Sequence, residues 1–275
     1  MVRVARWWER AFGTPVPLIG VVHLAALPGT SGNRRSIDEV TAQAVADAKA
    51  YATRGVDGLI VENFGDTPFE PREVSPDVVA SMTRIAGAVR EVTGDRPLGI
   101  NVLRNDARAA LAVAAAVGAA FIRVNVLAGA CVTDQGIIEG DAAGLLRAKR
   151  SLGAEIRIFA DVRVKHASPL RDVPIEIEAE ELVKRAGADA LLVTGESTGR
   201  PPDVEELARV RSAASGAPVL VASGAAPENL ADLAAHANGF IVGTSLKVGG
   251  RTEASPDPAR IRRFVAALRR TGRDR

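Results

Sequence analysis

Ala217-Pro218-Val219-Leu220-Val221-Ala222-Ser223-Gly224-Ala225 and Asn238-Gly239-Phe240-Ile241-Val242-Gly243-Thr244-Ser245 are the stretches from which the fold is read. Each is a compact apolar run closed by a turn of small residues. A near-continuous apolar run of this length fits a parallel strand buried on both faces. Glycine lets a backbone approach a ligand closely, and the free N–H groups at a helix start attract an anion. Two such turns on consecutive strands, at the end of an alternating strand–helix chain, occupy the position of the phosphate site in many (β/α)8 barrels. Ser223, Gly224, Gly243, Thr244 and Ser245 are therefore the candidate phosphate-binding residues, with Lys247 close by to add charge. The plainer reading makes both segments ordinary tight turns.

Working outward, eight short aliphatic runs recur along the chain: Leu18–His23, Val56–Glu62, Leu98–Val102, Ala120–Val126, Glu155–Val162, Ala188–Thr194, Pro218–Ala222 and Gly239–Gly243. Segments of helical periodicity separate them, with readable boundaries. Ser36-Ile37-Asp38-Glu39 is a capping-box pattern whose helix stops near Gly55. Ser75-Pro76-Asp77 opens another that ends at Gly94. Four further helices close at Gly118, Gly153, Gly187 and Gly216, and the last two begin near Pro227 and Pro258. Eight alternations in one domain-sized chain favour a closed α/β barrel over an open sheet. No glycine-rich dinucleotide fingerprint follows the first run, which argues against a Rossmann fold. The expectation is a single domain over residues 1–275, a (β/α)8 TIM barrel of the phosphate-binding type. Residues 1–15 form an extension that lays a helix across the barrel bottom, with Trp7 and Trp8 as plugs or contact residues. Residues 269–275 form a frayed tail.

Composition bounds the partners. Hydrophobic residues make up 47% of the 275, enough for a large core. A net charge of +2 gives no reason to expect nucleic acid or an anionic membrane surface. The C-terminal arginines Arg262, Arg263, Arg269, Arg270, Arg273 and Arg275 read as a solvated helix face and tail. The single cysteine, Cys131, excludes an internal disulfide and favours the cytoplasm. No signal-peptide pattern precedes the first strand, and the longest apolar stretch, Ala109 to Ile122, is too short to span a bilayer. Self-association into a homo-oligomer stays open.

Barrel enzymes place their chemistry at the C-terminal strand ends. Those ends carry His23, Glu62, Asn101, Arg123, Asn125, Asp161, Lys165 and Thr194. Period-two alternation turns Arg123 and Asn125 toward the barrel axis, as it does Asn101 with Gly99, and Asp161 with Phe159, Arg163 and Lys165. So many polar groups are costly to desolvate unless they pair or meet a ligand. Asp161, Glu62, His23 and Lys165 are the candidate catalytic residues. Asn101, Arg123, Asn125, Asp134, Gln135 and Thr194 are the candidate substrate-binding ones. Arg123 reads equally as a structural ion-pair partner of Glu62 or Asp161, and the asparagines as ties between strands.

Leu127–Gly140, with three glycines and the polar set Thr133, Asp134, Gln135 and Glu139, reads as a mobile lid over the mouth. Asn63–Phe69 is a second binding loop. Cys131 is a small apolar filler sooner than a nucleophile. No cysteine–histidine spacing suits zinc, and the basic residues beside Glu62 and Asp161 disfavour a divalent ion, so neither metal nor cofactor is expected.

Taken together, Val22-His23-Leu24 with Leu27-Pro28-Gly29, Gly55–Asn63, Gly99–Asp106, Phe121–Val126, Thr133–Gly140, Ala160–Ala167 and Val242–Lys247 resemble the BtpA/SgcQ family over residues 16–268. The resemblance implies a (β/α)8 barrel akin to phosphate-binding barrels. It carries over no agreed reaction: one branch is associated with photosystem I biogenesis, and another sits among sugar-metabolism genes. Ser223-Gly224-Ala225 departs from the Gly-Ser-Gly turn of this barrel group. Two functions follow as expectations. One is an enzyme, an isomerase, lyase or glycosyl-bond-cleaving catalyst, acting on a small phosphorylated molecule such as a sugar or nucleoside phosphate. The other is a non-catalytic assembly or stability factor for a photosystem-type membrane complex.

Overall fold

The computed structural model describes residues 6–195 and 199–271. Helix α1 (Arg6–Phe12) leads into strand β1 (Leu18–His23), followed by α2 (Ile37–Ala52), β2 (Gly58–Glu62), α3 (Pro76–Thr93), β3 (Leu98–Asn101), α4 (Ala107–Val117) and β4 (Phe121–Val124). A hairpin of β5 (Ala130–Thr133) and β6 (Gly136–Glu139) interrupts the alternation before α5 (Ala142–Leu152) and β7 (Arg157–Asp161). Then come β8 (Ala167–Pro169), α6 (Ile175–Lys184), β9 (Ala190–Val193), α7 (Val204–Ala213), β10 (Val219–Val221), α8 (Leu230–His236), β11 (Gly239–Val242) and α9 (Pro258–Arg270). Eight parallel strands close in the order β1-β11-β10-β9-β7-β4-β3-β2. The (β/α)8 barrel read from the sequence is the fold of the chain.

The helices start and stop where local chemistry directs. The Ser36 hydroxyl accepts from the Glu39 amide at 3.2 Å, while Glu39 accepts from the Ser36 amide at 2.7 Å, a reciprocal cap that satisfies two otherwise orphan donors. Asp106, Asp141, Asp203 and Asp257 cap α4, α5, α7 and α9 in the same sense. Helix α9 continues through Arg269 and Arg270, so these two belong to the helix rather than to a frayed tail. Arg273 and Arg275 lie outside the described residues, as do residues 1–5 of the N-terminal extension. No helix among the described residues is long and apolar enough to cross a membrane.

Two apolar layers hold the barrel. One lies between the strands' outward side chains and the helices. The other fills the barrel axis from below: Trp8 and Phe12 of α1 meet Phe121, Phe159, Ile60, Leu192, Leu220 and Ile241. Trp8 is fully buried, and its indole N–H donates to the Pro15 carbonyl at 3.1 Å. Phe121 and Phe159 stack with centroids 4.3 Å apart. Gly99 makes that stack fit, because a Cβ there would stand 2.2 Å from the Phe121 ring. Above this apolar plug the axis turns polar, and the site begins there.

Candidate active site at the barrel mouth

Strand alternation places Glu62, Asn101, Arg123 and Asp161 in the layer above the aromatic stack. All four are buried, at 6%, 1%, 5% and 4% exposure. Their partners split them into two units. Arg123 gives both Nε and a terminal nitrogen to the Asp161 carboxylate, each at 2.9 Å, and Asn125 Nδ2 adds a third bond at 2.9 Å. Burial works against the Arg123 charge, but the Asp161 carboxylate and its hydrogen bonds outweigh it and raise the guanidinium pKa. Asp161 is thus tied to Arg123 and Asn125, and of the two readings of Arg123 the structure shows the ion pair.

Glu62 forms the other unit. Asn101 Nδ2 donates to its Oε2 at 2.6 Å, and its Oε1 stands 3.8 Å from His23 Nε2. That approach is not an ion pair. Burial, reinforced by the charges of Lys247, Lys165 and Arg123, holds the His23 pKa well below the usual histidine range, so the ring is neutral. Lys165 reaches the same space from the segment after β7. Burial first, then the neighbouring Arg123 and Arg104, lower its pKa. Arg163 and His166, which bracket it, take φ of 61° and 57°, a left-handed conformation uncommon outside glycine. The kink breaks the expected alternation: Arg163 turns outward to Glu178 at 3.1 Å and to the Val173 carbonyl at 2.6 Å instead of facing the axis.

The turns Ser223–Ala225 and Gly243–Ser245 meet these residues around one cavity of about 50 Å³. Its lining includes Ser223, Gly224, Gly243, Thr244 and Ser245 together with His23, Glu62, Arg123 and Lys165. The turns are joined directly, since the Ser245 hydroxyl donates to the Ala225 carbonyl. The amides of Ser223, Gly224, Thr244 and Ser245 take no backbone acceptor among the described residues. Two details correct the sequence reading. Helix α8 begins only at Leu230, and a three-residue 3-10 turn, Thr244–Leu246, follows β11, so no long helix starts at either turn. The missing side chains also serve protein packing. A Cβ at Gly224 would stand 2.0 Å from the Pro201 nitrogen, and one at Gly243 would stand 2.5 Å from His23 Cε1. Beneath the second turn, Lys247 is 1% exposed and donates to the Thr252 carbonyl at 2.7 Å.

A second cavity of about 460 Å³ opens beside the first and shares Glu62, Phe64, Arg123 and Lys165 with it. Asn101, Asn125 and Asp134 line it too. Gln135 and Thr194 do not: Gln135 bonds to Asp134, and the Thr194 hydroxyl points to the Arg163 carbonyl at 3.4 Å. Phe64 and Phe69 of the second expected binding loop line the cavity, as does His166 beside Lys165, and so does Arg104, which was not a candidate from the sequence. Arg104 is buried and donates to the Lys165 carbonyl at 2.8 Å, tying the loop after β3 to the kinked segment after β7. Its signal was the polar run Arg104-Asn105-Asp106 directly past a strand end.

The expected mobile lid is instead sheet. Strands β5 and β6 pair antiparallel, and β8 adds a third strand to β5. Cys131 packs there beside Val126, Ile138 and Val164, and burial raises its thiol pKa, as suits a filler. Among the described residues no three His, Cys, Asp or Glu side chains gather as a metal site.

A closed eight-stranded barrel with a buried polar mouth defines the class: a (β/α)8 barrel of the kind that carries its sites on the C-terminal strand ends. Within that class the chain belongs to the BtpA family, whose model matches residues 14–270. The photosystem I biogenesis protein BtpA of a Synechocystis strain is 45% identical over 94% of this chain and 90% of its own. Among solved structures, thiamine phosphate pyrophosphorylase from Pyrococcus furiosus superposes with a TM-score of 0.58 at 14% identity, covering 94% of this chain and 98% of that one. N-(5'-phosphoribosyl)anthranilate isomerase from the same organism gives 0.55 at 13% identity over 93% and 99%. At such identities the likeness is one of fold.

Proposed function

We propose that the protein is an enzyme that transfers a proton to or from a small phosphorylated substrate, with Glu62 as the acid–base group. The observation that carries this reading is the placement of Glu62, which lines both cavities. One of its oxygens is anchored by Asn101, and the other faces a neutral His23. The turns Ser223–Ala225 and Gly243–Ser245 hold the phosphate, and Lys165 and Arg123 supply the positive charge it needs. Lys165, whose ammonium takes no hydrogen-bond acceptor among the described residues, then stabilises negative charge that develops on the substrate. Asp161 orients Arg123 rather than exchanging protons. Hydrolysis of a glycoside by paired carboxylates needs two free carboxyl groups, and Asp161 is committed to its ion pair. An isomerase or a carbon–carbon lyase needs only one.

Exchange of carbon-bound hydrogen for solvent deuterium, followed by NMR in a panel of sugar phosphates, tests this before the reaction is known. Glu62→Gln is expected to lower exchange by about 10²–10⁴-fold and to leave the fold intact. Asp161→Asn is expected to lose about 3–5 kcal/mol of stability in urea, because it strands a buried cation. A Glu62→Gln protein that exchanges at the wild-type rate overturns the assignment.

A second reading, a non-catalytic assembly factor, is favoured by the name of the Synechocystis relative. The two readings part at the same residue. In a cyanobacterial strain that lacks the relative and is rescued by this chain, Glu62→Gln rescues as well as the wild type only if the protein acts without catalysis.

A further inference from the structure

We infer that the substrate is a phosphorylated sugar carrying a planar, unsaturated ring at the end remote from its phosphate. The inference rests on reading the smaller cavity as the phosphate site and supplies the rest of the molecule. Asn101 gives its amide nitrogen to Glu62 and Asn125 gives its own to Asp161. A carboxylate only accepts, so each amide must present its nitrogen to it and turn its oxygen away. Both amide oxygens are consequently buried with no donor among the described residues, in side chains that line the larger cavity. An unpaired buried acceptor is costly, and a ligand with donors at both places removes the cost. Asn101 ends β3, and Asn125 lies just past the end of the neighbouring β4, so adjacent hydroxyls on one carbon skeleton meet the requirement.

The far wall asks for something else. Phe64 and Phe69, both half-buried, and Leu103 give this cavity an apolar face, with the Arg104 guanidinium in the same lining. Phenyl rings and a guanidinium plane together pack well against a flat ring. A bare sugar phosphate leaves that face wet. A volume of about 460 Å³ accommodates the additional ring.

Calorimetry on the full chain with four probes tests the inference: inorganic phosphate, ribose 5-phosphate, 2-deoxyribose 5-phosphate and uridine 5'-monophosphate. Ribose 5-phosphate is expected to bind more tightly than phosphate and several-fold more tightly than its 2-deoxy analogue. The nucleotide is expected to gain about tenfold or more over ribose 5-phosphate, the size of one ring–aromatic stack. Phe69→Ala, or Phe69→Leu should that variant not fold, removes the nucleotide's gain and spares ribose 5-phosphate. A nucleotide that binds no better than ribose 5-phosphate, while ribose 5-phosphate itself binds, overturns the ring and leaves the phosphate site standing. Failure of all four probes, inorganic phosphate included, overturns the phosphate site and the inference with it.

Discussion

Asp161 and Glu62 have similar signals in the sequence: each is a carboxylate at the end of an apolar strand, turned inward by alternation. Their neighbours give them different work. Arg123 on β4 stands beside β7 and takes Asp161, leaving Glu62 to Asn101 and the cavities. Lys247 offers the sharpest test of charge burial here. Burial lowers its pKa from 10.5 to about 8, with Asp47, Glu62 and Glu253 only partly offsetting the loss of water. Below pH 8 the lysine is charged in the folded and unfolded chains alike, and the full cost of burying the charge is present. Between about 8 and 10.5 the folded chain has released a proton that the unfolded chain still holds, so stability rises with pH. Urea denaturation at several pH values is expected to show wild type gaining on Lys247→Met across that window, by up to about 1.4 kcal/mol per pH unit. A constant difference would mean that Lys247 is not desolvated.

The hairpin over the mouth shows how a glycine-rich stretch misleads. Its glycines read as freedom, yet Gly140 is needed for contact: a Cβ there would stand 2.4 Å from the Leu127 backbone. Gly136, at φ 98°, permits the tight turn after Asp134-Gln135. Pairing with β8 and the bond from the Leu170 amide to the Ala130 carbonyl at 3.0 Å then hold the hairpin from the other side. Hydrogen exchange in ligand-free protein is expected to find the cross-strand amides of β5 and β6 protected, and to change little on adding inorganic phosphate. Unprotected amides that slow only with ligand would restore the mobile lid.

Across the barrel, order runs from apolar at the bottom to polar at the top. Helix α1 closes the lower end, where Gly58 and Gly239 leave room for Phe12 and Trp8. The Phe121–Phe159 stack forms the next layer, and the charged layer rests on it. Removing the plug therefore undermines the floor of the site as well as the core. Trp8→Ala is expected to cost about 3–5 kcal/mol in urea denaturation. A loss below about 1 kcal/mol would mean that α1 adds little to the barrel, since large-to-small changes in a packed core cost more than that.

The strands were legible because their signal is local. The run Leu18–His23 is β1 to the residue, and Gly118 and Gly153 mark helix ends that need only neighbouring backbone. Alternation also found the inward polar set, since side chains in a strand change face at every residue. It failed at Arg163, two residues past the strand, where a positive φ redirects the chain. Long-range contacts decided the remainder. No spacing rule assigns Asp161 to Arg123, or seats Gly224 against Pro201 and Gly243 against His23. The pairing of Cys131–Thr133 with Ala167–Pro169 belongs to the same kind, because it joins segments that meet only once the barrel has closed.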